Sequence, residues 1–509
     1  MSASLKPFGE NSCEEEKAKL GARYSDYFFN YAPFNRPSLR EDTYLIVGRR
    51  GSGKTSLSEY FTFQEQYPKA RCIDVNEPDV YNAVLTRVVR TLDNPPELAI
   101  PLVADVWEYT IWLLIFQALK DTDKNIASAA RLAGDLGGSP SALVRALFSG
   151  LMKKYLGSDE VEISAHARDM LSRKSFQKAK EAVLAVTPEE PIFIAVDSMD
   201  HYSVSDDAVM YSTAALVMKA SQLNAAYSHR GVHTKVFLTD EIFPYFKENV
   251  CNNPAKYIKD PLFLHWRPKD LARLICWRFY KFLLEDGGID VPDVAWDRYN
   301  DVIDTVWTPH FGTSLVNANG VSESTFPYVL RHTQMRPRQL VMMCNEIARV
   351  AQDRETFPDC PPEVLRAAVH RMELSLADEV VNSYGKIYPH AGEIVGALSG
   401  MPMAFPGNEL DRIAPRTAAH WPDGEYSPDA FKRLVTELGV IGRKRGDSST
   451  GIIEADFEFL LEDRLFLTEQ DTCVIHPMFY RKLNVQPTEG VCVYPFPDHP
   501  DFEELRNGR

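Results

Sequence analysis

The chain has 509 residues, of which 45% are hydrophobic and 25% are charged, and its formal net charge is −15. This length exceeds that of one ordinary domain and predicts about three packed units, while the composition is typical of a soluble globular protein. The negative charge argues against a surface that coats nucleic acid generally, although it leaves a local basic patch open.

The sequence also indicates the cellular compartment in which we expect the protein. Its eight cysteines are scattered without a C-x-x-C pair, which indicates neither a zinc site nor a disulfide framework. Residues 1–22 are polar and lack the apolar core of a signal peptide. The most apolar segment, 106–119, is shorter than the roughly 20 residues of a membrane span, and it contains Glu108. We therefore expect a cytoplasmic protein with a buried helix here and no membrane partner.

An aromatic cluster between Tyr24 and Phe34 precedes the first predicted strand. In many nucleotide-binding folds the segment at this place covers the base, so residues 29–34 are candidates to stack on an adenine ring. Packing in the core is the other interpretation, because aromatic side chains most often serve that purpose.

A complete phosphate-binding pattern, G-x-x-x-x-G-K-[ST], runs from Gly48 to Thr55. It follows an apolar run at 44–47 that is typical of a buried strand, and it precedes a helix predicted from about residue 54 to 60. We expect the loop N–H groups and the helix dipole to hold the phosphates of ATP. Lys54 is the predicted contact to the β- and γ-phosphates, and the Thr55 hydroxyl is a predicted Mg²⁺ ligand. The predicted nucleotide-binding residues are Gly48, Arg49, Arg50, Gly51, Ser52, Gly53, Lys54, Thr55 and Ser56.

A second strand is predicted at 71–75, and a long, mostly helical insertion follows over about 78–188. No catalytic spacing occurs in this insertion, so its predicted role is structural. The helices expected there are 79–92, 107–119, 126–136 and 165–186.

The apolar segment that begins at Pro191 ends at Asp197. A carboxylate at the end of such a strand holds Mg²⁺ through its water shell, and we expect this role for Asp197. Asp200 is a candidate to orient or deprotonate the attacking water, and a helix-capping role for it is equally open. Many ATPases of this class carry a glutamate where this chain has Ser198, so hydrolysis is expected to be slow or to use Asp200 in a different geometry.

A helix at 207–227 and a strand at 234–240 complete an alternating pattern. This alternation predicts an α/β fold with a doubly wound parallel sheet and a ligand at the carboxyl ends of its strands. Thr239 or Asp240 could sense the γ-phosphate from the end of the last strand. Arg230 is either an arginine finger that faces a neighbouring subunit or a surface residue.

The chain is predicted to be helical from Phe263 onward. A helix over 266–278 has a proline near its first turn, and another helix begins at Pro337. Arg336 and Arg338 flank Pro337, where two cations oppose the helix dipole. A bound phosphate would account for that placement.

The last section has the pattern of a winged helix-turn-helix, with two helices followed by a short hairpin. Arg443, Lys444 and Arg445 lie at the predicted wing tip, where they could contact a nucleic-acid backbone or form a solvated turn. The elements expected here are helices 391–398 and 427–438 and strands near 439–446, 453–457 and 473–477.

Four segments, 48–55, 192–200, 336–338 and 474–479, together resemble bacterial P-loop ATPases of the STAND and origin-recognition-like branch of the AAA+ relatives. The resemblance covers most of the chain, and it implies that Arg338 acts as a second sensor of the nucleotide. The chain differs from the best-known members because no repeat array or effector domain is appended and no acid directly follows Asp197. Members of such groups are often encoded beside defence or mobile-element genes.

The motifs and the resemblance together predict a P-loop NTPase core with a helical insertion, a helical lid and a winged-helix domain. The expected boundaries are a flexible N-terminus at 1–22, the core at 23–262, the lid at 263–383, the winged helix at 384–485 and a tail at 486–509.

The preferred functional hypothesis is an ATP-driven switch in bacterial defence or signalling. Mg-ATP would close the lid onto the core through Lys54, Asp197 and Arg338, and the partner would be a second copy of the chain or an effector protein. One alternative is an ATP-dependent DNA-binding protein that uses the winged helix. Another is a nucleotide-binding structural subunit with negligible turnover.

Overall fold

A computed structural model describes residues 6–75, 96–133, 161–197, 207–249, 258–422, 424–447, 451–461 and 464–496. The chain divides into two units. Residues 33–264 form the first, named here the sheet unit, and residues 1–32 and 265–509 form the second unit.

The first 32 residues belong to the second unit and contain helices α1 (Cys13–Leu20) and α2 (Tyr24–Tyr27). The Ser12 side chain caps α1 by accepting a hydrogen bond from the backbone of Glu15 at 3.2 Å. Phe8 is fully buried and stacks on Phe279 with ring centroids 5.0 Å apart. The sequence predicted a flexible segment over residues 1–22, and the structure differs because these contacts pack part of it against the second unit.

The sheet unit alternates strands and helices, as the sequence predicted. Its short second strand and its long helix at 207–227 have the predicted bounds, whereas the predicted helix near 165–186 is two helices that meet at Arg173. The predicted helix 79–92 lies outside the described residues. The described elements are α3 (Asn35–Ser38), β1 (Leu45–Gly48), α4 (Lys54–Phe63), β2 (Arg71–Val75), α5 (Pro96–Ala118), α6 (Lys124–Ala130), α7 (Val161–Ser172), α8 (Lys174–Val186), β3 (Ile192–Val196), α9 (Asp207–Tyr227), β4 (Val232–Thr239), α10 (Phe243–Asn249) and β5 (Leu262–Phe263).

The five strands of this unit form one sheet in the order β2-β3-β4-β1-β5, and every adjacent pair is parallel. This confirms the predicted α/β fold with a parallel sheet. Strands β1, β3 and β4 are buried along their whole length, as expected for a sheet covered on both faces. Gly48 at the end of β1 pairs with Thr239 at the end of β4, so the carboxyl ends of these two strands lie side by side.

Helix α5 lies in the core of the sheet unit, as the sequence predicted for its apolar segment. By length and composition its stretch Ile100–Ala118 is apolar enough to cross a membrane, but 67% of that window is buried inside the protein. One of its acids, Glu108, accepts hydrogen bonds from Lys219 at 3.0 Å and Lys180 at 3.4 Å. The charge of Glu108 is therefore paired inside the sheet unit, and the cytoplasmic compartment stays a prediction.

The second unit is mostly helical up to residue 396 and ends in a sheet. A π-helical turn, Ile303–Trp307, lies between the short helices Tyr299–Val302 and Thr308–Phe311. The elements after residue 265 are α11 (Pro268–Glu285), α12 (Tyr299–Val302), α13 (Thr308–Phe311), β6 (Ser314–Val316), β7 (Ser322–Ser324), α14 (Thr325–Leu330), α15 (Pro337–Asp353), α16 (Pro362–Ser383), α17 (Ala391–Gly396), β8 (Ala404–Pro406), α18 (Asn408–Ile413), α19 (Pro428–Glu437), β9 (Ile441–Asp447), β10 (Ile452–Asp456), β11 (Thr472–Ile475) and β12 (Cys492–Tyr494).

The final sheet of the described chain has the order β12-β10-β9-β11-β8. Its strand β12 pairs in parallel with β10 and is fully buried. The predicted tail from residue 486 therefore differs from the structure, because this segment contributes the edge strand of the sheet.

The basic run Arg443–Arg445 does not lie at a wing tip, and that prediction is wrong. The three residues lie within β9, and its pairing with β10 is irregular at Arg445, between the pairs Lys444–Ala455 and Gly446–Glu454. Arg443 and Arg445 both extend toward β10. Both guanidinium groups reach Asp456 of the paired strand β10, at 3.5 and 3.6 Å. A strand continues through these positions because the opposing carboxylate offsets their charge.

A buried polar network joins the β6–β7 hairpin to the final sheet within the second unit. The Glu323 carboxylate receives two hydrogen bonds from the Arg331 guanidinium, at 2.9 and 3.0 Å. Asn317 and the Tyr494 hydroxyl of β12 donate to the same carboxylate at 2.7 and 2.9 Å. The predicted lid and the segment predicted as a tail therefore share one interior within the second unit.

Candidate functional site

The loop between β1 and α4 has a backbone that depends on its glycines. Gly51 and Gly53 have φ angles of +77° and +98°, which side chains other than glycine rarely adopt. A Cβ on Gly48 would lie 2.5 Å from the Ser52 hydroxyl oxygen, so a larger residue here would force the Ser52 side chain to move. The loop is thus a tight backbone turn that leads directly into the first turn of α4.

Lys54 opens helix α4 and folds back over the loop. Its side chain is buried, and its Nζ donates to the carbonyl oxygens of Gly48 at 2.9 Å and Arg49 at 3.4 Å. Ser52 and Arg49 are buried as well. The Lys54 ammonium is therefore held against the start of the loop, and the loop ends at the N-terminus of α4. Both features favour the binding of an anion.

The two predicted Mg²⁺ ligands lie in contact. The Thr55 hydroxyl donates to Asp197 Oδ2 at 2.9 Å, although the residues are 142 positions apart in the sequence. Asp197 directly follows β3, and its own N–H donates to the carbonyl oxygen of Val75 at 3.1 Å. Ser56, the last predicted binding residue, is half-buried in the first turn of α4. Strand β3 and helix α4 thus bring a hydroxyl and a carboxylate together at the carboxyl edge of the sheet.

Glu241 is a further acid at this site, and the sequence reasoning missed it. It is 5% exposed and follows β4 by two residues, and its Oε1 accepts a hydrogen bond from the Arg50 N–H at 3.2 Å. Thr239 and Asp240, the predicted sensors, precede it: Thr239 is buried beside Gly48, and the Asp240 N–H donates to the Gly48 carbonyl at 3.3 Å. The sequence does show an acid just beyond the end of a predicted strand. That acid could be assigned to the site only by knowing that β4 is the neighbour of β1 in the sheet.

A buried lysine inside β4 fixes the chain as it enters β1. The Lys235 Nζ donates to the carbonyl oxygens of Arg40 at 2.8 Å and Thr43 at 2.6 Å. Burial lowers the pKa of Lys235 to about 7, against the opposing effect of the nearby Asp42 and Glu41 carboxylates. Strand β4 therefore holds the segment that precedes β1 through Lys235, and Glu241 follows its carboxyl end.

The polar groups at the carboxyl ends of β1 and β3 fit a phosphate with a bound magnesium ion. Loop N–H groups and the Lys54 ammonium are suited to phosphate oxygens, and the Thr55 hydroxyl and Asp197 carboxylate are oxygen ligands of the kind that Mg²⁺ prefers. In the part of the chain that the structure describes, no group of three or more His, Cys, Asp or Glu could hold a metal. A magnesium ion held by Thr55 and Asp197 would keep several of its waters, which is its usual behaviour beside phosphates.

Other predicted site residues are not part of this cluster. Asp200 lies outside the described residues. Arg230 precedes β4 and so lies at the edge of the sheet opposite the loop, where it donates to the Leu184 carbonyl at 3.1 Å. Phe29 is buried and stacks near Trp266 in the second unit, which matches the packing interpretation of the aromatic cluster.

The two predicted lid arginines belong to the second unit. Pro337 occupies the first turn of α15, as the sequence predicted. Arg338 is exposed, and its Nε donates to the carbonyl oxygen of Asn11 at 3.1 Å. Arg336 is buried and donates to the Gln334 side-chain oxygen at 3.2 Å. The sensor role of Arg338 stays a prediction.

Comparison with known proteins gives a distant relationship. No family model matches the chain. The chain is 22% identical over 410 residues to a protein of Escherichia coli (strain K12) described as "Putative transposon gamma-delta 80.3 kDa protein". The match covers 78% of this chain and 54% of the relative, so the chain spans about half the length of the curated relative that it matches.

Proposed function

We propose that the chain binds Mg-ATP at the loop 48–55 and hydrolyses it to ADP and phosphate. The observation that carries this proposal is the 2.9 Å contact between Thr55 and Asp197. Both residues were predicted as magnesium ligands from separate motifs, and a chance loop would have no reason to lie against the end of β3. ATP is preferred over other nucleotides because of the resemblance to P-loop ATPases.

The residues at the carboxyl ends of β1 and β3 have two proposed roles, which are phosphate binding and charge neutralisation. The loop N–H groups and the first turn of α4 bind phosphate oxygens, and Lys54 supplies a buried positive charge beside them. Thr55 and Asp197 hold the magnesium ion, which neutralises phosphate charge when it is bound. The buried strands β1, β3 and β4 keep these groups in register.

We further propose that nucleotide binding switches the conformation of the chain, with Arg338 as the sensing residue. The resemblance to the STAND and origin-recognition-like ATPases supports this part of the proposal, together with the exposure of Arg338 near the start of a 17-residue helix. The Escherichia coli relative is named as a transposon protein, and mobile elements are among the neighbourhoods that the resemblance implies.

The proposed turnover is tested by phosphate release from wild type and Asp197→Asn. Asparagine keeps the size of the side chain and an acceptor for the Thr55 hydroxyl, but it removes the charge that holds the metal. We expect Mg-dependent release from wild type and a loss of about 100-fold or more in the variant.

The matched control is Glu189→Asn, which changes an exposed acid in the same unit. It should release phosphate at the wild-type rate. If wild type binds Mg-ATP and its release equals that of Asp197→Asn at background, hydrolysis is wrong and a nucleotide-binding subunit without turnover is the correct description.

A further inference from the structure

We propose that Glu241 is the general base that takes the proton from the attacking water. This inference rests on the proposed ATP hydrolysis and adds to it the residue that performs the proton transfer. It also accounts for Ser198, because the acid that many such ATPases carry after the metal-holding aspartate would be supplied here from another strand.

Strand order explains why Glu241 is well placed. Strand β4 lies between β3 and β1, so its carboxyl end borders the loop strand directly, whereas β3 is one strand further away. The pairing of Gly48 with Thr239 carries the chain after β4 alongside the loop. Glu241, two residues beyond Thr239, therefore lies close enough for its side chain to contact the loop.

Glu241 and Lys54 contact the same peptide group of the loop. Lys54 Nζ lies 3.4 Å from the Arg49 carbonyl oxygen, and Glu241 Oε1 lies 3.2 Å from the Arg50 nitrogen, which is bonded to that carbonyl carbon. The ammonium and the carboxylate are therefore no more than about 9 Å apart by covalent geometry. This upper bound places the carboxylate and the ammonium close enough to act on one bound phosphoryl group.

The two acids of the edge have different partners, which separates their roles. Asp197 Oδ2 accepts from the Thr55 hydroxyl at the helix end of the loop. Glu241 Oε1 accepts from Arg50, in the first half of the loop. One carboxylate thus contacts the predicted metal ligand Thr55, and the other contacts the backbone of the loop. The Arg50 N–H holds the Glu241 carboxylate against the loop.

The proposed step is balanced without any additional reactant. The water oxygen forms a bond to the γ-phosphorus while one of its protons moves to the Glu241 carboxylate. The bond between the γ-phosphorus and the bridging oxygen breaks, and that oxygen keeps the electron pair as part of ADP. The products are ADP and inorganic phosphate, and Glu241 then returns the proton to the phosphate or to solvent.

The test compares kcat, KM and ATP affinity in wild type and Glu241→Gln. Glutamine keeps the size of the side chain and an oxygen that accepts from Arg50, but it cannot take a proton at neutral pH. We expect kcat to fall by about 100-fold or more while ATP affinity and KM stay close to wild type. Glu241→Asp, which keeps the carboxylate on a shorter side chain, should have an intermediate kcat.

Two controls separate the failure of this inference from that of the proposed function. Glu65→Gln changes an exposed acid of the sheet unit and should leave all three constants unchanged. If Asp197→Asn abolishes turnover and Glu241→Gln keeps the wild-type kcat, the proposed function stands and the role of Glu241 is wrong. If Glu241→Gln loses ATP affinity to the same degree as kcat, Glu241 is a structural residue of the loop. If wild type neither binds nor hydrolyses ATP, both proposals are wrong.

Discussion

Arg338 is the residue whose predicted role depends on a change in the chain as a whole. It is exposed in α15, and its recorded hydrogen bond is to a backbone carbonyl, so replacing it should remove little stability. We expect a non-hydrolysable ATP analogue to alter the limited-proteolysis pattern of wild type. Arg338→Ala should bind the analogue at the loop but lose that change.

Arg354→Ala is the matched control, because it alters an exposed arginine just after the same helix. It should behave as wild type does. An Arg338→Ala pattern that responds to the analogue as fully as wild type would contradict the sensor role.

The residues of the loop were predictable because their chemistry is local in sequence. Eight consecutive positions, Gly48 to Thr55, carry the pattern, and the flanking strand and helix follow from apolar periodicity. Glu241 was not predictable in the same way. Its proximity to Arg50 follows from the insertion of β4 between β3 and β1, and the order of strands in a sheet is a non-local property that apolar runs do not encode.

Strand β4 combines two functions at the scale of the element. Its carboxyl end carries Thr239 and Glu241 beside the loop, and its interior carries Lys235, which holds the carbonyl oxygens of Arg40 and Thr43. The amide side chain of Asn224 binds the backbone of the same strand at Thr234, at 2.6 and 3.2 Å. These buried polar contacts fix β4 against α9 and against the segment that precedes β1.

The lowered pKa of Lys235 makes the stability of the sheet unit depend on pH. Its pKa is about 7 in the folded chain and 10.5 in the reference state, so between these values the unfolded chain binds one more proton than the folded chain. Stability contributed at this position therefore rises with pH in that window. Relative to Lys235→Met, wild type should gain about 3 kcal/mol in its free energy of unfolding from pH 7 to pH 9.5.

Urea titrations at several pH values measure this difference. Lys178→Met is the control, because Lys178 is exposed and its replacement should give a curve parallel to that of wild type. Parallel curves for wild type and Lys235→Met would show that Lys235 has an ordinary pKa in the folded protein.

Short elements of the second unit escaped prediction for a physical reason. The segment after residue 486 is rich in proline and acids, and its three-residue strand Cys492–Tyr494 is too short to give a periodic signal. Its place in the sheet comes from tertiary contacts, among them the hydrogen bond from Tyr494 to Glu323. The basic run at 443–445 was predicted at a wing tip from its position in the predicted hairpin, whereas the structure places it within strand β9, where two of its arginines pair with Asp456.

The whole molecule carries a net charge of −15, which bears on the DNA-binding alternative. Two of the three basic residues at 443–445 face Asp456, so their charge is partly neutralised within the final sheet. We expect weak binding to non-specific duplex DNA and a shallow dependence on salt concentration, because few phosphates would be neutralised.

Fluorescence anisotropy of a labelled duplex at two salt concentrations measures this. Replacing Arg443, Lys444 and Arg445 by glutamine should leave the weak binding unchanged. A steep salt dependence in wild type that is lost in the triple variant would favour the ATP-dependent DNA-binding protein instead.

The central claim is that the loop 48–55 binds a magnesium nucleotide, and Lys54 tests it most directly. Its buried Nζ donates to the loop carbonyls of Gly48 and Arg49, so Lys54→Ala removes a positive charge that lies against the loop backbone. Calorimetric titration of Mg-ATP into wild type and Lys54→Ala is the decisive measurement, with the exposed Lys69→Ala as control. We predict saturable binding to wild type and Lys69→Ala and none to Lys54→Ala. Equal affinity in all three proteins, or no binding to wild type, would contradict the account.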